Sequence, residues 1–174
     1  MTKKLAVVES ENIEIVKAIT NYFENKDVKI EFVEDLNAID FGFDLVVLTG
    51  FETSVKDIKN SFNLVNIHPS LLPAFSTETA LQDAFTSGVK VSGISIHSVD
   101  EGIFFGKILA QYPVLIGLDT HFDEYKREIF EISKKLYPIV IEAILEDRVF
   151  DFTDLFKSSC SKGCGGCSGG SCSH

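Results

Sequence analysis

The chain has no tryptophan, one methionine, and no cysteine before position 160 of its 174 residues. It also lacks any apolar run near the roughly 18–20 residues that span a bilayer, and the apolar run after the two lysines near its start is too short for a signal peptide. Cations are scarce, with 16 Lys and Arg against 26 Asp and Glu. Phosphate contacts need clustered cations. We therefore expect a cytoplasmic protein that acts on a small molecule, with no nucleic-acid or membrane partner.

What the chain does contain is an alternation of short apolar runs with segments of helical periodicity. This order predicts one α/β domain, residues 1–156, whose mainly parallel sheet is flanked by helices. The remaining residues, 157–174, are almost entirely Gly, Ser and Cys and predict a flexible tail. Strands are predicted at 4–8, 28–33, 45–48, 62–67, 91–99 and 107–114, and helices at 12–24, 77–87 and 120–147.

Local signals refine the three predicted helices. Ile13 is expected in the core-facing stripe of the first helix, and Thr77 is expected to cap the second. Thr120 and Asp123 match a capping box at the start of the third. Pro138 is expected to kink that helix, because proline removes a backbone donor.

Residues 66–73 form the most distinctive polar segment of the chain and read Asn-Ile-His-Pro-Ser-Leu-Leu-Pro. We expect a loop here, restricted in shape by its two prolines, after a buried strand. Asn66 and His68 are two residues apart on extended backbone, so they point the same way and could address one bound molecule. The alternative is a core histidine and asparagine that satisfy each other in a tight turn.

This segment closely resembles the signature of the folate-dependent formyltransferases, and it lies nearest to the phosphoribosylglycinamide formyltransferase branch. Residues 93–103, which contain Gly-Ile-Ser-Ile-His and Val-Asp-Glu-Gly-Ile, carry a second resemblance. Together these segments resemble the family over roughly residues 44–138. The resemblance implies a formyltransferase-like, Rossmann-like fold, a place in purine biosynthesis, and 10-formyltetrahydrofolate or a related folate as the one-carbon donor.

The resemblance also implies roles for individual residues. Asn66 and His68 are implied as the catalytic residues, which polarise the formyl group while an amine attacks it. The implied ligand-binding residues are Gly50, Phe51, Pro69, Leu71, His97, Asp100, Glu101, Gly102 and Phe104. We expect Asn66 and His68 to share a pocket with the loop at 100–106, on the argument that both segments follow parallel strands.

Three positions depart from the family pattern. The glycine-rich phosphate turn of the family is replaced by Glu-Ser-Glu-Asn at 9–12, whose carboxylates would repel a phosphate. Thr79 stands where the family has a histidine, and Phe104 stands where it has the catalytic aspartate. A phenyl ring cannot accept a proton, so we expect impaired transfer unless Asp100 or Glu101 substitutes. The alternative is a catalytically inactive formyltransferase-like protein that binds a folate or another small ligand.

All thiols of the chain lie in the tail. Cys160, Cys164, Cys167 and Cys172, followed by His174, lie within the last fifteen residues. Four thiolates suit tetrahedral zinc or an iron–sulfur cluster, and the sequence does not choose between them. The alternatives are a redox-active disordered tail and a thiol tail used for delivery or attachment. We expect the tail to recruit a metal or a protein partner.

Overall fold

The computed structural model describes residues 2–8, 12–34, 39, 42–50, 63–99 and 106–151. Within these ranges the chain forms six strands and three helices, which confirms the predicted α/β class. In chain order they are β1 (Lys3–Val8), α1 (Ile13–Phe23), β2 (Val28–Val33), β3 (Leu45–Leu48), β4 (Leu64–His68), α2 (Ala80–Thr86), β5 (Val91–Ser98), β6 (Ile108–Leu115) and α3 (Phe122–Leu145). No helix in these ranges is both long and apolar enough to cross a bilayer. The predicted tail lies outside the described residues.

The strands form one mixed sheet in the order β2-β1-β3-β4-β5-β6. The first four strands are mutually parallel, whereas β5 is antiparallel to both β4 and β6. The sheet is therefore mainly parallel, as predicted, but the argument that the segments after β4 and β5 both follow parallel strands is wrong. The alternation of apolar residues is the same in a parallel and an antiparallel strand, so the sequence carried no sign of this reversal.

Because β5 is antiparallel to β4, the end of β5 lies beside the beginning of β4. His68, at the end of β4, is opposite Ser95, and Val65 is opposite Ser98. Val99 donates its N–H to the carbonyl of Leu64, at 2.9 Å. Val99 therefore lies beside the beginning of β4, at the opposite end of that strand from His68.

Helices α1 and α3 pack on one face of the sheet and enclose the larger core. Buried side chains of this face include Val65 and Ile67 from β4. A smaller cluster, which includes Leu48 and Leu64, covers part of the other face. Alternate residues of a strand point to opposite faces, so β4 presents Val65 and Ile67 to the face of α3 and presents Asn66 and His68 to the opposite side. The exposure of Ile13, at 60%, contradicts its predicted core position, and Ile15 is buried in its place.

The ends of the helices differ from the predicted caps. Helix α2 has Thr79 rather than Thr77 at its N-cap, and both threonine hydroxyls donate to the Asp83 carboxylate. Helix α3 has His121 at its N-cap, and the backbone N–H of His121 donates to Glu124. The predicted box was therefore one residue too early, because the Thr120 hydroxyl accepts from the Gly117 N–H instead.

Candidate active site

Asn66 and His68 are the third and last residues of β4, and both are buried. Asn66 lies within the predicted strand 62–67, and the structure extends that strand by one residue to His68, which was predicted on the loop. The Asn66 side-chain oxygen accepts a hydrogen bond from the Ile67 N–H at 2.8 Å. Because the oxygen is used in this bond, the NH₂ group is the part of the amide that can donate to a bound molecule. No hydrogen bond joins Asn66 to His68 in the described part of the chain. The alternative in which the two side chains hydrogen-bond to each other is therefore wrong.

The His68 ring is held through one nitrogen. Its Nε2 lies 2.9 Å from the carbonyl oxygen of Phe75. A carbonyl can only accept, so Nε2 carries the hydrogen and the neutral ring keeps a lone pair on Nδ1. Burial lowers the pKa of His68 below the ordinary histidine value of 6.5, and the bond to Phe75 only partly opposes this. His68 is therefore a neutral base at pH 7 with one nitrogen already bonded.

The residues between His68 and Phe75 form a compact segment, residues 69–75. Pro69 and Ser70 are buried, and Leu71 is half-buried. Leu71 packs on β5 at Gly93, where an added Cβ would lie 2.9 Å from its Cδ2 atom and only 2.1 Å from the Tyr112 carbonyl oxygen. Gly93 is thus required for this close approach. The resemblance implied ligand contacts for Pro69 and Leu71, and those roles stay predictions.

The sequence analysis missed three polar residues that hold this segment. The hydroxyls of Ser70 and Ser95 are both buried and hydrogen-bonded within it, and Gln111 of β6 reaches it from the side. A signal was available, because most buried side-chain hydroxyls have a hydrogen-bond partner and a serine stands inside the apolar run of β5.

The carboxyl ends of β1 and β3 approach the same edge of the sheet. The Thr49 hydroxyl donates to the Val8 carbonyl at 2.9 Å, and the Asn12 side chain donates to the Thr49 carbonyl at 3.0 Å. Gly50, a predicted ligand-binding residue, is buried at this edge. Val47 and Val65 are paired in the sheet, and Gly50 and His68 are each three residues beyond them. The structure therefore brings Gly50 to the same edge as His68.

His97 lies on β5, directly opposite Asn66 in the ladder, and its side chain is buried. Its Nδ1 donates to the carbonyl of the adjacent Ser98 at 2.8 Å. His97 therefore shares the sheet face of Asn66 and His68. Its predicted contact with a ligand stays a prediction.

The other predicted site residues lie outside the described residues. These are Phe51, Asp100, Glu101, Gly102, Phe104 and the four tail cysteines, Cys160, Cys164, Cys167 and Cys172. In the part of the chain that the structure does describe, no group of three or more His, Cys, Asp or Glu side chains is placed to hold a metal ion.

Two cavities, of about 680 and 590 Å³, lie at the other end of the sheet, and Lys3, at the start of β1, lines both. Neither is lined by Asn66 or His68. The larger is bordered by Lys26 and Glu142, which form an ion pair with each other. Because Lys26 and Glu142 already neutralise each other, we assign no function to the larger cavity.

Comparison with known proteins is consistent across sequence and structure. The family model described as formyl transferase matches residues 3–141. The phosphoribosylglycinamide formyltransferase of Bacillus subtilis is 38% identical over 105 residues, which are 59% of this chain and 54% of that protein. This chain spans about half the length of that relative and a smaller share of the plant chloroplastic ones.

Solved structures show the same fold. The phosphoribosylglycinamide formyltransferase of Anaplasma phagocytophilum aligns with a TM-score of 0.71 at 22% identity, over 84% of this chain and 88% of that one. A formyltetrahydrofolate deformylase from Pseudomonas syringae aligns with a TM-score of 0.69 at 18% identity, over 88% of this chain and 65% of that one. At such identities these likenesses support the fold alone.

Proposed function

The chain belongs to the formyl transferase family, and from that membership we propose that it transfers a formyl group from 10-formyltetrahydrofolate, or a closely related folate, to an amine. The observation that carries this proposal is the pairing of two side chains at the end of β4. Asn66 uses its side-chain oxygen in a bond to the backbone, which leaves its NH₂ group as the donor, and His68, two residues on, is a neutral imidazole. One group can donate to a carbonyl oxygen and the other can accept a proton.

The transfer needs both abilities at once. As the amine attacks, negative charge develops on the formyl oxygen, which the Asn66 NH₂ group stabilises by donating a hydrogen bond. A bond forms between the amine nitrogen and the formyl carbon, and the bond from that carbon to the folate nitrogen breaks. The proton lost by the amine passes to His68 and then to the departing folate nitrogen. Atoms and charge balance without any other reactant.

A direct test follows formation of tetrahydrofolate when 10-formyltetrahydrofolate is mixed with the intact chain and a panel of primary amines. We expect Asn66→Ala to lower kcat by about 10²–10³, the usual loss for one donor to a developing oxyanion. Asn63→Ala is the matched control, because Asn63 is exposed and lies just before the same strand. An unchanged kcat in Asn66→Ala would refute the proposal.

The acceptor amine need not resemble the ribotide for which the relatives are named. In the connection from β1 to α1, residues 9–11 are Glu, Ser and Glu, and they lie outside the described residues. Two carboxylates in this connection would repel a phosphate bound to it. We therefore expect glycinamide ribotide to be no better an acceptor than its dephosphorylated form, and steady-state rates with the two compounds test this.

We further propose that the tail binds zinc or an iron–sulfur cluster through Cys160, Cys164, Cys167 and Cys172. Four thiolates within thirteen residues form a donor set that suits either group. We expect about one zinc ion or one cluster per chain after anaerobic purification, and none in a chain that ends at Phe156. Binding should weaken as pH falls, because thiols must lose their protons to bind. Replacement of all four cysteines by serine is the matched control. Equal metal content in every form would show that the tail does not bind the metal.

The non-catalytic alternative rests on the three departures from the family pattern, at residues 9–12, Thr79 and Phe104. The curated relatives are named for formyl transfer, so the transferase is the better supported function. We also propose that the chain acts in the cytoplasm, since its thiols are confined to a segment that suits a reduced compartment. Fractionation of cells that express the intact chain tests this location.

A further inference from the structure

One serine hydroxyl on β5 anchors the segment 69–75 that follows β4. The Ser95 hydroxyl donates to the Ser70 carbonyl at 2.7 Å and accepts from the Leu72 N–H at 2.9 Å. It also accepts from the Gln111 side chain at 2.9 Å. A hydroxyl has one donor and two acceptor positions, so this group is fully used. Ser95 is completely buried, so water cannot replace these bonds.

The other end of the segment supplies the carbonyl that His68 binds. Phe75 has a φ of +53°, in the left-handed region that a bulky aromatic residue seldom adopts. The Ser70 hydroxyl reaches the Ala74 carbonyl at 2.6 Å and the Phe75 carbonyl at 3.4 Å. The direction of the Phe75 carbonyl is therefore set by the anchored segment and not by the preference of Phe75 itself.

We propose that Ser95 is a positioning residue, which anchors the segment 69–75 so that the Phe75 carbonyl holds His68 as the Nε2–H tautomer. The lone pair then stays on Nδ1, which becomes the nitrogen able to take a proton from an attacking amine. The hydrogen bond made by one ring nitrogen decides the state of the other. The catalytic consequence rests on the proposed function, but the tautomer itself does not.

The tautomer can be read directly from the ¹⁵N spectrum of the intact chain labelled at histidine. At neutral pH the His68 resonances should be those of a protonated Nε2 and an unprotonated Nδ1. In Ser95→Ala we expect them to move towards the average of the two tautomers, because the Phe75 carbonyl is no longer held. Ser92→Ala is the matched control, since Ser92 is a buried serine of the same strand that makes none of the hydrogen bonds described for the segment 69–75. It should leave the His68 resonances unchanged.

Turnover provides a second measurement in the same variants. Ser95→Ala should lower kcat by about tenfold with little change in KM, as expected when a base is misdirected and substrate binding is kept. If Ser95→Ala does not fold, Gln111→Leu removes part of the same anchor and is measured in the same way. Wild-type resonances of an Nδ1–H tautomer, or identical spectra for the wild type and the folded variant, would overturn the proposal. Because the spectrum needs no substrate, its outcome is separate from failure of the transfer reaction.

Discussion

Two buried histidines lie on neighbouring strands of this sheet, and they bond to carbonyls at different distances along the chain. His97 donates to the carbonyl of the next residue on its own strand, Ser98. His68 bonds to a carbonyl seven residues away, at the end of an anchored segment. The first bond depends only on the local conformation of β5, whereas the second needs a tertiary structure around it. Burial alone therefore does not distinguish these two histidines, whereas the distance along the chain to the carbonyl that each contacts does.

The largest expected effect tests whether the two histidines really differ. His68→Ala should lower kcat by about 10²–10⁴, the range for loss of a general base. His97→Gln should retain kcat to within about threefold, and any effect should be on KM, as for removal of a binding contact. Steady-state kinetics with 10-formyltetrahydrofolate and the best acceptor amine measure both. Equal losses of kcat in the two variants would remove the distinction.

A smaller effect is expected when a carboxylate is introduced at position 104, which lies outside the described residues. The resemblance implies that Phe104→Asp restores the catalytic aspartate, and we expect kcat to rise by about tenfold or more because a carboxylate can accept a proton and a phenyl ring cannot. Phe104→Asn is the control, since it matches the shape of Asp but carries no charge. A wild-type chain that already turns over at a rate ordinary for the family would contradict the prediction.

The smallest effect concerns the dependence of stability on pH. Burial lowers the pKa of His68, so below the ordinary value of 6.5 the unfolded chain binds a proton that the folded chain does not. Stability should therefore be full above this pH and fall as pH decreases below it, by at most about 1.4 kcal/mol per pH unit from this one residue. Urea unfolding at a series of pH values should show a shallower fall in His68→Gln than in the wild type. His121→Gln, at an exposed N-cap, is the control, and parallel curves for all three proteins would contradict the prediction.

Much of the fold could be predicted because its strands are short apolar runs with clear ends. The bounds of β2 and β3 were predicted without error, since polar residues flank both runs. Asn66 and His68 were selected because their segment resembles the family signature, and their role as the catalytic pair stays a prediction. The structure then added the direction in which each of them is held.

The remainder depends on contacts that adjacent residues do not reveal. The antiparallel direction of β5 follows from how residues 69–90 pack. The apolar pattern of the strand does not indicate its direction. The exposure of Ile13 likewise depends on which face of α1 meets the sheet. The anchor at Ser95 joins three chain segments, and one of its partners, Ser70, is 25 residues away. Such bonds become visible only when the strands have been placed.

Tyr137 has a consequence for the synthesis of the chain. Its buried hydroxyl lies 2.7 Å from the Leu48 carbonyl and 3.0 Å from the Val65 carbonyl, so α3 ties β3 to β4 from behind the site. Val65 precedes Tyr137 by 72 residues. A ribosome adds about 5–20 residues per second, so β4 waits on the order of 4–14 s for this contact. During that interval the nascent chain contains Asn66 and His68 on a strand whose apolar face is uncovered, and a chaperone that binds exposed β-strands would find its target there.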